Sequence, residues 1–267
     1  MKKFVSILIF ILLIGTLSGY TQDKPPVDQV DEEDKAVMED LELSDTAFFK
    51  KYVEKFASKS TEFLYKTYIS VDDPEIKIYI LFKAIDKGLN DPFVFKIFNT
   101  GLAESIKNLS YQDRMRDHAD NWKVRATAAY LISTKPTVDN NKKLALIKTL
   151  LLILREDPEE RCQGIAAMTL GKLFAEGGQG ASGGKDGGKY KRYNLLRKDT
   201  IVNIINTKLD KTHLNDQYLC WALVKAVGYL KSEKSFFVLI RTRKRGFNEK
   251  VKLEISHSMR AITGSSK

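Results

Sequence analysis

From about residue 46 onward, apolar residues recur at three- and four-residue spacing, and no stretch alternates apolar and polar positions convincingly. That period predicts amphipathic helices and excludes a sheet protein. Short polar segments punctuate the pattern: Asp72-Asp73-Pro74, Asn90-Asp91-Pro92, Asp139-Asn140-Asn141, Asp157-Pro158, Asn215-Asp216 and Gly246-Phe247-Asn248. Each offers an Asp or Asn whose side chain can accept from the free N–H groups of a first helical turn. Proline often follows at the first helical position, where no N–H is needed. The expected class is all-α.

Four of the expected helices align without gaps. Their apolar anchors are Val124, Cys162, Leu219 and Val251, and Ile76-Lys77 begins a weaker earlier copy. The intervals fall near the range of helix-pair repeats once a Gly-rich insert is removed from the middle one. Small residues crowd these helices: Ala126, Ala128, Ala129, Gly164, Ala166, Ala167, Ala222 and Ala226. Such a helix must be approached on several sides, as happens when helix pairs stack and each buries the apolar face of the next.

The run from Asp157-Pro158 through Cys162 to Leu170-Gly171-Lys172-Leu173 resembles a HEAT repeat. Val124-Arg125, Ala226-Val227-Gly228-Tyr229-Leu230 and Val251-Lys252 match parts of the same pattern. The chain departs from it at Gln163 and Cys220, where the family usually carries an arginine after the apolar anchor. The resemblance implies an α-solenoid of about five stacked antiparallel helix pairs, whose surface binds other macromolecules and carries no fixed chemistry.

The N-terminus reads differently. Lys2 and Lys3 precede an apolar run of about 14 residues that ends in Thr16, Ser18 and Gly19. This is the layout of a secretory signal peptide, expected over residues 1–19; left uncleaved, it would serve as a signal anchor. The run is shorter than the ~20 residues of a spanning helix. No cysteine follows it to carry a lipid. Residues 20–45 read as a disordered acidic linker, with ten acidic and two basic side chains between residues 23 and 45. The expected helical domain occupies residues 46–267.

Charge then changes the picture. The whole chain is +10, which suggests nucleic acid. Resolved along the sequence, an arm of about −8 precedes a body of about +16. An exported chain of this kind is expected to act in the bacterial periplasm or envelope, so no nucleic-acid partner is expected. The body's charge would steer an acidic protein partner, or an anionic envelope polymer or membrane surface. Membrane contact is expected to be peripheral or through the signal anchor.

Candidate chemistry is sparse. The glycines of the insertion at residues 177–193 fail the phosphate-loop pattern, since Gln179 and Asp186 stand where Gly and Ser/Thr are required. Lys189, Lys191, Arg192 and Tyr193 alternate basic and aromatic character and are expected to contact a partner. So are Arg241, Arg243, Lys244 and Arg245, a density of cations beyond what a helix C-terminus needs. His118, His213 and His257 lie in different units, and no nucleophile, acid–base or metal constellation forms. No catalytic residue, metal or cofactor is expected. A lyase-type activity of the kind some HEAT-like proteins carry rests on fold analogy alone. Trp122 and Trp221 read as core anchors, and Cys162 and Cys220 as small apolar residues with pairing left open.

Overall fold

The computed structural model describes residues 56, 58–104, 121–135, 138–175 and 197–264. The expected signal peptide, the expected acidic linker and the Gly-rich insertion lie outside the described residues. So do Lys189, Lys191, Arg192 and Tyr193. The ten described α-helices all belong to one compact unit, Ser60–Lys267. They are α1 (Thr61–Ser70), α2 (Pro74–Ile85), α3 (Pro92–Leu102), α4 (Asn121–Thr134), α5 (Asn140–Glu156), α6 (Glu160–Ala175), α7 (Lys198–Lys211), α8 (Gln217–Leu230), α9 (Phe236–Arg243) and α10 (Glu249–Thr263). No strand occurs among the described residues, and no helix among them is long and apolar enough to cross a membrane.

The capping chemistry starts these helices where the sequence places it. Asp73 accepts from the N–H groups of Glu75 and Ile76, and Asp91 from those of Phe93 and Val94. In both helices proline occupies the first turn. Asp139 and Asn248 accept from Lys142 and Val251 in the same way. Asp216 makes no such bond, and α6 begins at Glu160, after Asp157-Pro158. The Asp157 carboxylate still accepts from the Glu159 N–H at 2.9 Å, and it has a further partner, described below.

Packing follows a simple order. Each even-numbered helix lies against the next, from α2 through α4, α6 and α8 to α10. Odd-numbered helices back them: α1 contacts α3, α3 contacts α5, and α7 contacts α9. Each odd helix also packs on the even helix that follows it. From α4 onward the even layer is parallel, since contacts advance together along each pair: from Gly164–Ala222 to Gly171–Ala226 between α6 and α8, and from Trp221–Lys250 to Gly228–Ser258 between α8 and α10. Cys162 reaches the carbonyl of Trp122 at 3.1 Å, and Thr169 that of Ala129 at 2.9 Å, one helical stretch further along the same pair.

Helices touched on several sides are apolar nearly all round. Residues 124–129, 164–171 and 219–227 are buried without interruption. The anchors Val124, Cys162, Leu219 and Val251 are all buried. Between α6 and α8 the backbones come close. A methyl placed on Gly171 would sit 2.9 Å from the carbonyl oxygen and 3.0 Å from the Cα of Ala226. One placed on Gly164 would meet the Tyr218 ring at 2.7 Å and the Ala222 methyl at 2.9 Å. Close approach of α6 to α8 therefore depends on these glycines and alanines.

Candidate interaction face

The first turns of the even helices are linked, pair by pair, by polar contacts of changing chemistry. Lys77 on α2 meets Glu104, two residues past the end of α3, at 2.6 Å, and the Tyr68 hydroxyl donates to the same carboxylate at 3.3 Å. Burial first, and then Glu104, pushes the Tyr68 hydroxyl well above the ordinary phenol range. Arg125 on α4 grips Asp157, just before α6, with Nε to Oδ2 at 2.7 Å and Nη2 to Oδ1 at 3.1 Å. Its Nη1 donates to the Glu104 carbonyl at 3.0 Å. This two-point geometry suits a guanidinium and a carboxylate removed from water.

Beyond α6 the cations stop, and main-chain N–H groups take over. The Leu219 N–H donates to Glu160 Oε1 at 3.0 Å, and the Asn248 N–H to Gln217 Oε1 at 3.0 Å. At the positions that interrupt the expected arginine series, Gln163 donates to the Asp157 carbonyl at 2.6 Å and Cys220 is buried, while Glu160 and Gln217 make the links to the next helix. Burial raises the Glu160 carboxyl above its usual range, while the Leu219 N–H pulls the other way.

In front of these links lies a lattice of aromatic rings and cations. The Arg161 guanidinium of α6 sits 5.2 Å from the centre of the Trp122 ring on α4, and Lys123 Nζ lies 6.0 Å from the same ring. The Tyr218 ring covers Gly164 of α6 and lies 5.7 Å from Trp221. Trp221 is flanked by Lys225 of its own helix at 4.8 Å and by Lys250 of α10 at 4.5 Å. Lys172 of α6 reaches Tyr229 of α8 at 5.5 Å. Such pairs hold flat rings and positive charge together at modest energy, about 0.5–1 kcal/mol each where exposed.

Of the two tryptophans expected as core anchors, Trp221 is buried, whereas Trp122 is only half-buried and stacks beneath Arg161.

The four cations expected at the end of α9 separate into two groups. Arg241 pairs with Asp210 at 2.7 Å. Arg245 donates to the carbonyls of Leu209, at 3.0 Å, Asp210 and Thr212, and lies over the Phe247 ring at 5.1 Å. These two fasten α9 to the end of α7. Arg243 and Lys244 are exposed. Sequence reasoning passed over Lys123, Arg161 and Lys250. Each occupies the position before an aligned anchor, so the signal lay in the column of the repeat and not in any local run.

Cys162 and Cys220 are both free and buried. Burial pushes the Cys220 thiol up to about 12, and Cys162 rises well above its ordinary value for the same first reason. Both are small packing residues. Among the described residues no group of His, Cys, Asp and Glu could hold a metal ion. No protein-family model matches the chain, and no curated protein or solved structure shows significant similarity to it.

Proposed function

We propose that this chain is an exported, HEAT-like α-solenoid that serves as a protein-binding scaffold or assembly factor in the bacterial cell envelope. On this reading the five helix pairs α1/α2, α3/α4, α5/α6, α7/α8 and α9/α10 are the repeats, and the front of the even layer is the binding face. The observation that carries the reading is the lattice of Trp122, Lys123, Arg161, Tyr218, Trp221 and Lys250. Aromatic rings and arginine are the side chains most enriched at the centres of protein interfaces. Net positive charge on the body favours an acidic partner and speeds its approach. The apolar leader with its two lysines supports export.

The test is capture from an envelope extract by the wild-type chain and by the double variant Arg161→Glu, Lys250→Glu, with bound proteins identified by mass spectrometry. The reading expects a reproducible acidic protein that the variant loses. Equal recovery by both chains would move the site elsewhere. A variant that still binds anionic polymer as the wild type does, with no protein recovered by either, would end the scaffold reading.

A further inference from the structure

The four front positions have a definite spacing, and this restricts what can bind. Lys123, Arg161, Tyr218 and Lys250 each precede the buried anchor of its helix by one residue, so they occupy one position on α4, α6, α8 and α10. These four helices lie side by side in that order and are parallel. Packed helices sit about 8–10 Å apart. A polypeptide in the polyproline-II conformation has three residues per turn and advances about 3.1 Å per residue. Three residues of such a chain therefore cover about one helix spacing and bring every third side chain back to the same face.

Resting on the protein-binding reading above, we propose that the front of the even layer holds an acidic peptide segment in the polyproline-II conformation, with a three-residue period. Its residues facing Lys123, Arg161 and Lys250 are acidic, and the one facing Tyr218 is apolar or aromatic. Read along the stack, the recognised pattern is acid-x-x-acid-x-x-apolar-x-x-acid, in one of the two chain directions. Tyr218 breaks the cation series at the third position, where its ring lies beside Trp221 and over Gly164. A ring there offers a flat apolar contact and no charge.

The same surface argues against a continuous polyanion. Acidic groups adjoin the cations: Glu159 and Glu160 immediately precede Arg161 in sequence, Asp216 lies two residues before Tyr218, and Glu249 precedes Lys250. Glu159 is about one-third exposed and lies 3.9 Å from Arg161, whose own side chain is 42% exposed. A ligand charged at every unit would meet these carboxylates as well as the cations. A peptide charged at every third residue avoids them, which is how repulsion contributes to selectivity.

Both tryptophans of the chain lie on this face, so intrinsic fluorescence reads it directly. The experiment titrates the purified protein with ten-residue Ser/Gly-based peptides. Two carry Glu, Glu, Leu and Glu at the period-three positions, in forward and reversed order. A third has the same composition with the three Glu contiguous. One period-three peptide should bind at least tenfold more tightly than the contiguous peptide. Arg161→Glu and Lys250→Glu should each weaken it at least tenfold, and Arg243→Glu with Lys244→Glu less than threefold. Circular dichroism confirms that each variant is folded. Equal affinity for period-three and contiguous peptides overturns the proposed period. Tighter binding to vesicles containing one-third phosphatidylglycerol than to any peptide overturns the peptide assignment. If a protein partner is captured through Arg161 and Lys250 while period makes no difference, the scaffold reading stands and only this proposal fails.

Discussion

At the scale of single residues, burial decides which charges matter. Arg125 and Asp157 are almost entirely removed from water, with side chains 4% and 0% exposed. Breaking a buried pair by removing one partner typically costs about 3–5 kcal/mol, because the other charge is left stranded. Asp157→Asn should therefore lower the free energy of unfolding in urea by roughly that amount, even though asparagine can still accept the Glu159 N–H that Asp157 accepts at 2.9 Å. The exposed pair Arg241–Asp210 has the same 2.7 Å separation, yet Asp210→Asn should cost less than about 1 kcal/mol. Comparable losses at both sites would contradict this assignment of the burial. The Arg125 pairing was only half legible beforehand: the repeat pattern marks Arg125 and Asp157, but nothing in the sequence joins residues 32 apart. Arg241 and Arg245 mislead in the opposite direction. Their local density suggests a binding patch, and only the fold reveals the Asp210 carboxylate and the α7 carbonyls that occupy them.

At the scale of helices, the sequence is most informative where one physical requirement acts alone. Caps at Asp73, Asp91, Asp139 and Asn248 follow from local hydrogen bonding and stand where the turn signals place them. Asp157 answers to Arg125 as well as to its own helix, and a tertiary partner is invisible to local pattern. Small residues on α6 and α8 anticipate close approach, though not its degree. Since a methyl on Gly171 would press on the Ala226 backbone, which has no rotamer to change, Gly171→Ala should destabilise the protein by about 1–3 kcal/mol. Hydrogen exchange should localise the loss to α6 and α8, leaving α1 and α2 as protected as before relative to the global stability. Unchanged stability would mean that α6 and α8 lie further apart than described.

At the scale of the whole molecule, the even layer brings together residues that no local motif unites. Trp122, Arg161, Trp221 and Lys250 come from four helices and become neighbours only because those helices are parallel and in register. The column holding Lys123, Arg161 and Lys250 was already present in the alignment. What the sequence lacked was the direction in which that column faces, which depends on which helices lie beside and behind. The central claim is that this front binds protein. Site-specific photo-crosslinking in intact cells tests it most directly, with a photoreactive phenylalanine analogue replacing Leu253, 58% exposed about one turn beyond Lys250 on α10, or Phe237, 71% exposed on α9, as the control. The account predicts one reproducible protein adduct from position 253 that is absent from position 237. Adducts of equal yield at both positions, or none at position 253, would contradict it.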